Sequence, residues 1–312
     1  MAAFGWRVPD FPVDGSENAA FQSQTIENLE TATQSGYASA WVADHFVPWA
    51  QWQDKHTPSV ECWTTLTHLA ALYPQLTWGT IVLCQSYRNP ALLAKMAANF
   101  CALHPGKFVF GIGAGWKVDE YEAYNIPFPP AGQRLGEMAD TVRIARQLWT
   151  ETDATYEGRY YSIHNATVNP KPDPLPPVMI GGGGEKLTLR LTAELADWWN
   201  LPGGTLENYK HKLEILRGHC EAVGRDYNSI QKTWACECVA VADSQEEAEQ
   251  VARSSPFYSP DSAIVGTPDR VAEQISAWVG ADVQHFQLRF ADFPRTDCME
   301  RFAREVLPRF AS

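Results

Sequence analysis

The sequence predicts an α/β fold, a TIM (β/α)8 barrel carrying one insertion. Three observations support that expectation. Eight short apolar runs recur along 312 residues, enough chain for a barrel of about 250 residues with additions. Amphipathic helical patterns separate them, the alternation that builds a parallel sheet. The first run also lacks the glycine fingerprint that would open a dinucleotide-binding sheet after it, which favours a closed barrel over an open one.

In chain order the runs are FGWRV near the start, SAWVA (Ser39 to Ala43), LTWGTIVL (Leu76 to Leu83) and KFVFGIG (Lys107 to Gly113). They continue with PVMIG (Pro177 to Gly181), ADWWNL (Ala196 to Leu201), KTWACECVAVA (Lys232 to Ala242) and HFQLRF (His285 to Phe290). QSQTIENLETATQSG, NPALLAKMAANFCALHPG, QRLGEMADTVRIARQLWT and TPDRVAEQISAWVGA supply helical patterns between them. Thr267 and Pro268 suit an N-cap and a first helical residue, and Gly36 and Gly106 stand just past helix ends. The stretch from Glu151 to Pro177 is too long for an ordinary connection and is expected to be an insertion that partly covers a site. No linker or charge run divides the chain, so residues 1–312 are expected to form a single domain.

Composition narrows the function. Apolar residues make up 45% and charged residues 20%, ordinary for a globular protein with a large core. The net charge of −12 argues against nucleic acid and anionic membranes as partners, so any phosphate must be held by local geometry. Seven scattered cysteines form no C-x-x-C pair, and Cys236 and Cys238 are spaced for packing on one strand face. Without a signal peptide or a membrane-length apolar run, the chain is expected to be cytoplasmic.

Barrel chemistry gathers where strands finish. Strand two runs into ADHFVPW, with Asp44, His45 and Trp49; strand three into VLCQSYRNP, with Cys84; strand four into GAGWKVDEY, with Ala114, Gly115 and Glu120. The fifth meets four consecutive glycines in VMIGGGGEKLTLRL. Glycine costs backbone entropy, so the run needs a reason: a tight turn with positive φ, or a phosphate cradle in which bare N–H groups meet an anion. Each residue alone also has a structural role open to it. Asp44 and His45 could cap a helix, Glu120 could complement a helix dipole, and Trp41, Trp63, Trp198 and Trp199 could fill core. Their grouping at neighbouring strand ends favours a site.

The strings WVADHFVPW, WGTIVLCQSYRNPALLAKMAANFCALHPGKFVFGIGAGWKVDEYEAYNIPF, VMIGGGGEKLTLRLTAELADWWNL and VGTPDRVAEQISAWVGADVQHFQL resemble the bacterial-luciferase-like flavin and deazaflavin oxidoreductases over nearly the whole chain. That resemblance implies a luciferase-like TIM barrel with an insertion, usually a homodimer. DHF followed by PW is similar to the branch that uses coenzyme F420, a deazaflavin hydride carrier. On that likeness Asp44 and His45 lie beside the ring and Glu120 is a proton donor or acceptor. Ile81-Val82 matches a non-prolyl cis peptide forming a bulge behind the ring, and Gly181, Gly182, Gly183 and Gly184 match the loop that takes the cofactor phosphate. Trp49, Cys84, Ala114, Gly115 and Glu185 complete the implied cofactor site, with the Glu185 side chain turned away from the phosphate. The lysines and arginines with which the sugar-phosphate dehydrogenases of the family hold substrate have no counterpart set here, nor do the marked features of luciferase itself.

The expected reaction is hydride transfer between F420 and a small organic substrate, with His45 on the reacting oxygen, Glu120 moving the proton and Asp44 fixing the ring or the His45 tautomer. An FMN-dependent monooxygenase keeps the fold and changes the cofactor. A TIM-barrel hydrolase with a metal at Asp44, His45 and Glu120 lacks a second histidine nearby. A non-catalytic ligand-binding barrel is the remaining alternative.

Overall fold

The protein is described here through a computed structural model covering residues 2–310. Among these residues twelve strands occur: β1 (Ala3–Arg7), β2 (Ser39–Val42), β3 (Thr77–Thr80), β4 (Leu83–Cys84), β5 (Phe108–Gly113) and β6 (Ala154–Glu157). They continue with β7 (Ser162–Ala166), β8 (Val178–Gly181), β9 (Trp198–Pro202), β10 (Gln231–Val241), β11 (Ala263–Gly266) and β12 (His285–Phe290). The hydrogen-bonded order is β10-β12-β1-β2-β3-β5-β8-β9, and β9 pairs back to β10. That cyclic order is the (β/α)8 barrel the sequence predicts, and all eight apolar runs become its strands.

The chain falls into two compact units, one of residues 1–65, 200–213 and 231–312, the other of 66–199 and 214–230. In the first, β1 pairs with both β12 and β2 in parallel, and Phe4 stands beside Phe286 with rings stacked at 5.2 Å. Trp234 stacks on Trp278 at 3.7 Å. All six residues of β12 are buried, as expected of strands covered on both faces. The helix Pro268–Val279 starts as predicted, Thr267 accepting from the Arg270 N–H with Pro268 at the first turn.

In the second unit β5 lies between β3 and β8, fully buried along its length. The helices Pro90–Leu103 and Ala131–Thr150 cover this sheet; Trp149 donates from its indole to the Ala94 carbonyl at 2.9 Å. Gly106 takes φ +69° just beyond the first of them, as expected of a glycine past a helix end.

The insertion is more ordered than its composition suggests. β6 and β7 form an antiparallel hairpin, closed by a bond from the Gly158 N–H to the Tyr161 carbonyl. Asp140, on the helix beneath, accepts from the Tyr156 hydroxyl and the Tyr160 N–H, both at 2.8 Å. The hairpin is short and mostly exposed, so it lacks the apolar alternation that marks a strand in sequence. Among the described residues no helix is long and apolar enough to cross a membrane.

Candidate active site

In the second unit the end of the β3 run is broken. β3 stops at Thr80, β4 begins at Leu83, and the intervening Ile81-Val82 peptide is cis. The Thr80 hydroxyl fills the gap in the ladder, donating to the Gly111 carbonyl at 2.7 Å and accepting from the Gly111 N–H at 3.0 Å. A Cβ on Gly111 would lie 1.9 Å from the Thr80 carbonyl oxygen, so only glycine fits opposite the break. Thr80 and Leu83 are fully buried, whereas Ile81 and Val82 are half-exposed. The bulge therefore presents an apolar ledge to whatever lies beyond the strand end, as bulges beside active sites commonly do.

Cys84 and Glu120 belong to one polar corner of this unit. The Cys84 thiol lies 2.9 Å from the Tyr121 hydroxyl, which also reaches the Ser86 hydroxyl at 3.1 Å. Gly115, at φ +74°, passes so close that a Cβ would lie 1.9 Å from the Tyr121 hydroxyl, and Ala114 offers its carbonyl to the same hydroxyl at 3.5 Å. Glu120 is fully buried on the short helix Val118–Ala123. Its carboxylate accepts from the Tyr87 hydroxyl at 2.8 Å and faces the Lys117 ammonium at 3.3 Å. Burial first, then Cys84 and Glu120, raise the Tyr87 phenol, so it holds its proton. Burial and Cys84 likewise raise Tyr121.

The glycine run begins as β8 ends at Gly181. A Cβ on Gly181 would meet Val82 Cγ1 at 2.9 Å, so this glycine makes room for the bulge. Gly182 takes φ +127° and its carbonyl accepts from the Trp199 indole at 2.9 Å. Gly184 sits against Thr188, whose Oγ1 would lie 2.7 Å from an added Cβ. Three of the four glycines thus have a conformational or packing reason to be glycine. Glu185 is exposed, and its backbone carbonyl lies 2.7 Å from His219 Nε2. The helix begins at Thr188, after a turn over residues 185–187.

In the first unit, β2 leads into Asp44, which is buried, and His45 and Trp49, which are half-buried. The His45 ring meets Trp49 edge-on at 5.6 Å. A turn closed by the Trp52 N–H on the Trp49 carbonyl brings the two indoles face to face at 3.9 Å. Phe257 closes on Trp52 at 4.9 Å. Trp41, Trp63 and Trp199 are core, as their alternative reading had it, while Trp198 is half-buried. Cys236 and Cys238 are buried in packing.

Sequence reasoning missed one cluster in this unit. Arg7 at the end of β1 and Arg289 in β12 both face Glu237 on β10, at 2.6 and 3.4 Å. Burial opposes the Glu237 charge, yet Arg7 and then Arg289 outweigh it and hold the carboxyl below its ordinary range. The available signal was an arginine in each of two strands whose residues are almost all buried. Among the described residues no three His, Cys, Asp or Glu side chains are arranged to hold a metal ion.

Within the second unit an apolar ledge, a glycine run at a strand end and the Glu120–Tyr87 pair come from neighbouring strands, a set that suits a flat heteroaromatic cofactor. Comparison with known proteins agrees. The chain is 32% identical over 232 residues to an F420-dependent glucose-6-phosphate dehydrogenase of Kineococcus radiotolerans, covering 73% of this chain and 66% of that one. It is 24% identical over 314 residues to the protein of that name from Amycolatopsis mediterranei, covering 91% and 93%. Among solved structures, an F420-dependent secondary alcohol dehydrogenase bound to an F420-acetone adduct superposes with a TM-score of 0.85 at 18% identity, over 100% of this chain and 99% of the other. That likeness is one of fold. With the strand-three bulge, the Asp44-His45 strand end and the glycine run in place, and a family model matching residues 4–262, the chain belongs to the luciferase-like monooxygenase family.

Proposed function

We propose that this protein is an F420-dependent oxidoreductase that moves hydride between the deazaflavin and a small organic substrate bearing an alcohol or carbonyl group. The observation that carries the reading is the half-exposed Ile81-Val82 ledge, an apolar support for a planar ring. The likeness to relatives named as F420-dependent supports the choice of cofactor.

F420 supplies the hydride-carrying ring carbon when bound. Ile81 and Val82 back the ring, and Trp49, Cys84, Ala114 and Gly115 belong to its surroundings. The backbone of Gly181 to Gly184 takes the phosphate. His45 hydrogen-bonds the reacting oxygen and Asp44 holds its tautomer. Glu120 exchanges the proton through Tyr87, whose hydroxyl already rests on the carboxylate, with the Lys117 ammonium 3.3 Å away. The seven buried free thiols suit a reducing, cytoplasmic setting, and a homodimer is the assembly proposed.

The second reading, a reduced-FMN monooxygenase, is favoured by the description of the matching family. Titration of purified protein with F420, FMN and FAD, followed by ring absorbance, tests one against the other. Tight F420 binding with weak FMN binding supports the proposal, and stoichiometric FMN retained through purification overturns it.

A further inference from the structure

Arg7 and Arg289 are 6% and 4% exposed, and together they hold a single carboxylate. Glu237 stands where the register of β10 against β12 shifts, between Cys236 and Val239, a bulge that re-aims its side chain between the two guanidinium groups. Two cations sharing one anion leave donors over. Arg7 Nε and Arg289 Nε are buried without a hydrogen-bond partner, and Arg7 Nη1 lies 2.6 Å from the carboxylate but off line for a hydrogen bond. Buried donors are rarely left unmet without a reason.

The pair is also tied to His45. The Arg289 guanidinium lies 4.0 Å over the Phe257 ring and 5.3 Å from that of Trp52. Trp52 stacks on Trp49, and Trp49 touches His45. His45 is close enough to act on the Glu237 charge. Asp10 also attracts Arg289, after Glu237. Unmet guanidinium donors thus sit at one end of an aromatic wall whose other end is the proposed catalytic histidine.

We propose that Arg7 and Arg289 recognise a carboxylate on the substrate, which makes the substrates alcohols or carbonyl compounds that also carry a carboxylate and an apolar body. The proposal rests on the hydride-transfer site described above and adds the charge of what enters it. The planar fork of arginine matches the two oxygens of a carboxylate. Glu237 and Asp10 already offset the two guanidinium charges, so a monoanion meets less repulsion there than a phosphate dianion would. Phe257 and Trp52 supply the apolar contact.

Benzoate and its neutral isostere benzamide, titrated calorimetrically into cofactor-free protein, test this. Benzoate is expected to bind saturably and about tenfold tighter than benzamide. Arg289→Met should lose about tenfold for benzoate alone. Glu237→Gln removes a repelling charge and should bind benzoate about threefold tighter, a gain that a merely structural ion pair does not produce. No saturable benzoate binding by the wild type, equal affinity for the amide, or weaker benzoate binding by Glu237→Gln overturns the proposal. F420 affinity of the same variants should stay within about twofold of wild type. A loss of F420 affinity with benzoate binding unaltered would assign the arginines to the cofactor's phosphate tail and also overturn it. Because benzoate is measured without cofactor, failure of the F420 assignment leaves this result standing.

Discussion

The half-buried Tyr87 donates its hydroxyl to the fully buried Glu120 carboxylate at 2.8 Å. Glu120 has no exposure of its own, so any proton it exchanges with a bound substrate passes through a neighbour. Tyr87→Phe is therefore expected to lower kcat about 100-fold, within the usual range for loss of a proton-transfer group, while the F420 Kd stays near wild type. Stopped-flow absorbance of the deazaflavin, together with equilibrium titration, checks both. An unchanged kcat would remove Tyr87 from the proton path.

The glycine run makes two separable predictions. Gly182 holds φ +127°, a conformation that side chains resist, so Gly182→Ala should lower the melting temperature of cofactor-free protein through about 1–3 kcal/mol of backbone strain. Gly183→Ala should melt near wild type and bind intact cofactor about tenfold more weakly, while binding a fragment without the phosphate unchanged. Equal loss for both ligands would reduce Gly183 to a turn residue.

His285 carries a pH dependence. Burial holds its pKa at about 4, below the ordinary 6.5, and its Nε2 lies 2.8 Å from the Ser39 hydroxyl. The unfolded chain takes up this proton first. Stability from neutral His285 is thus complete above about pH 6.5 and is lost as the pH falls toward about 4, by up to about 3 kcal/mol. His285→Gln should flatten that part of the urea-unfolding profile relative to wild type. A parallel decline in both proteins would contradict the assignment.

The eight barrel strands were legible because each is a compact apolar run bounded by turn residues, and the Thr267-Pro268 cap because its chemistry is local. The Ile81-Val82 break was legible only through resemblance, since nothing in GTIVL itself distinguishes it from a continuous strand. The β6-β7 hairpin escaped because its residues face solvent and carry no apolar alternation. Arg7, Glu237 and Arg289 escaped for another reason: they are far apart in sequence and meet only through the pairing of β1 and β10 with β12. The Trp49 and Trp52 stack depends on a turn whose geometry the sequence does not announce.

The central claim is the cofactor, and protein purified from a host that makes no deazaflavin tests it most directly. Titrating that protein with F420 and with FMN, while following ring absorbance, should give saturable F420 binding about 100-fold tighter than FMN, a difference of about 2.7 kcal/mol. Protein that arrives yellow with stoichiometric FMN, or that binds FMN at least as tightly as F420, would contradict the account.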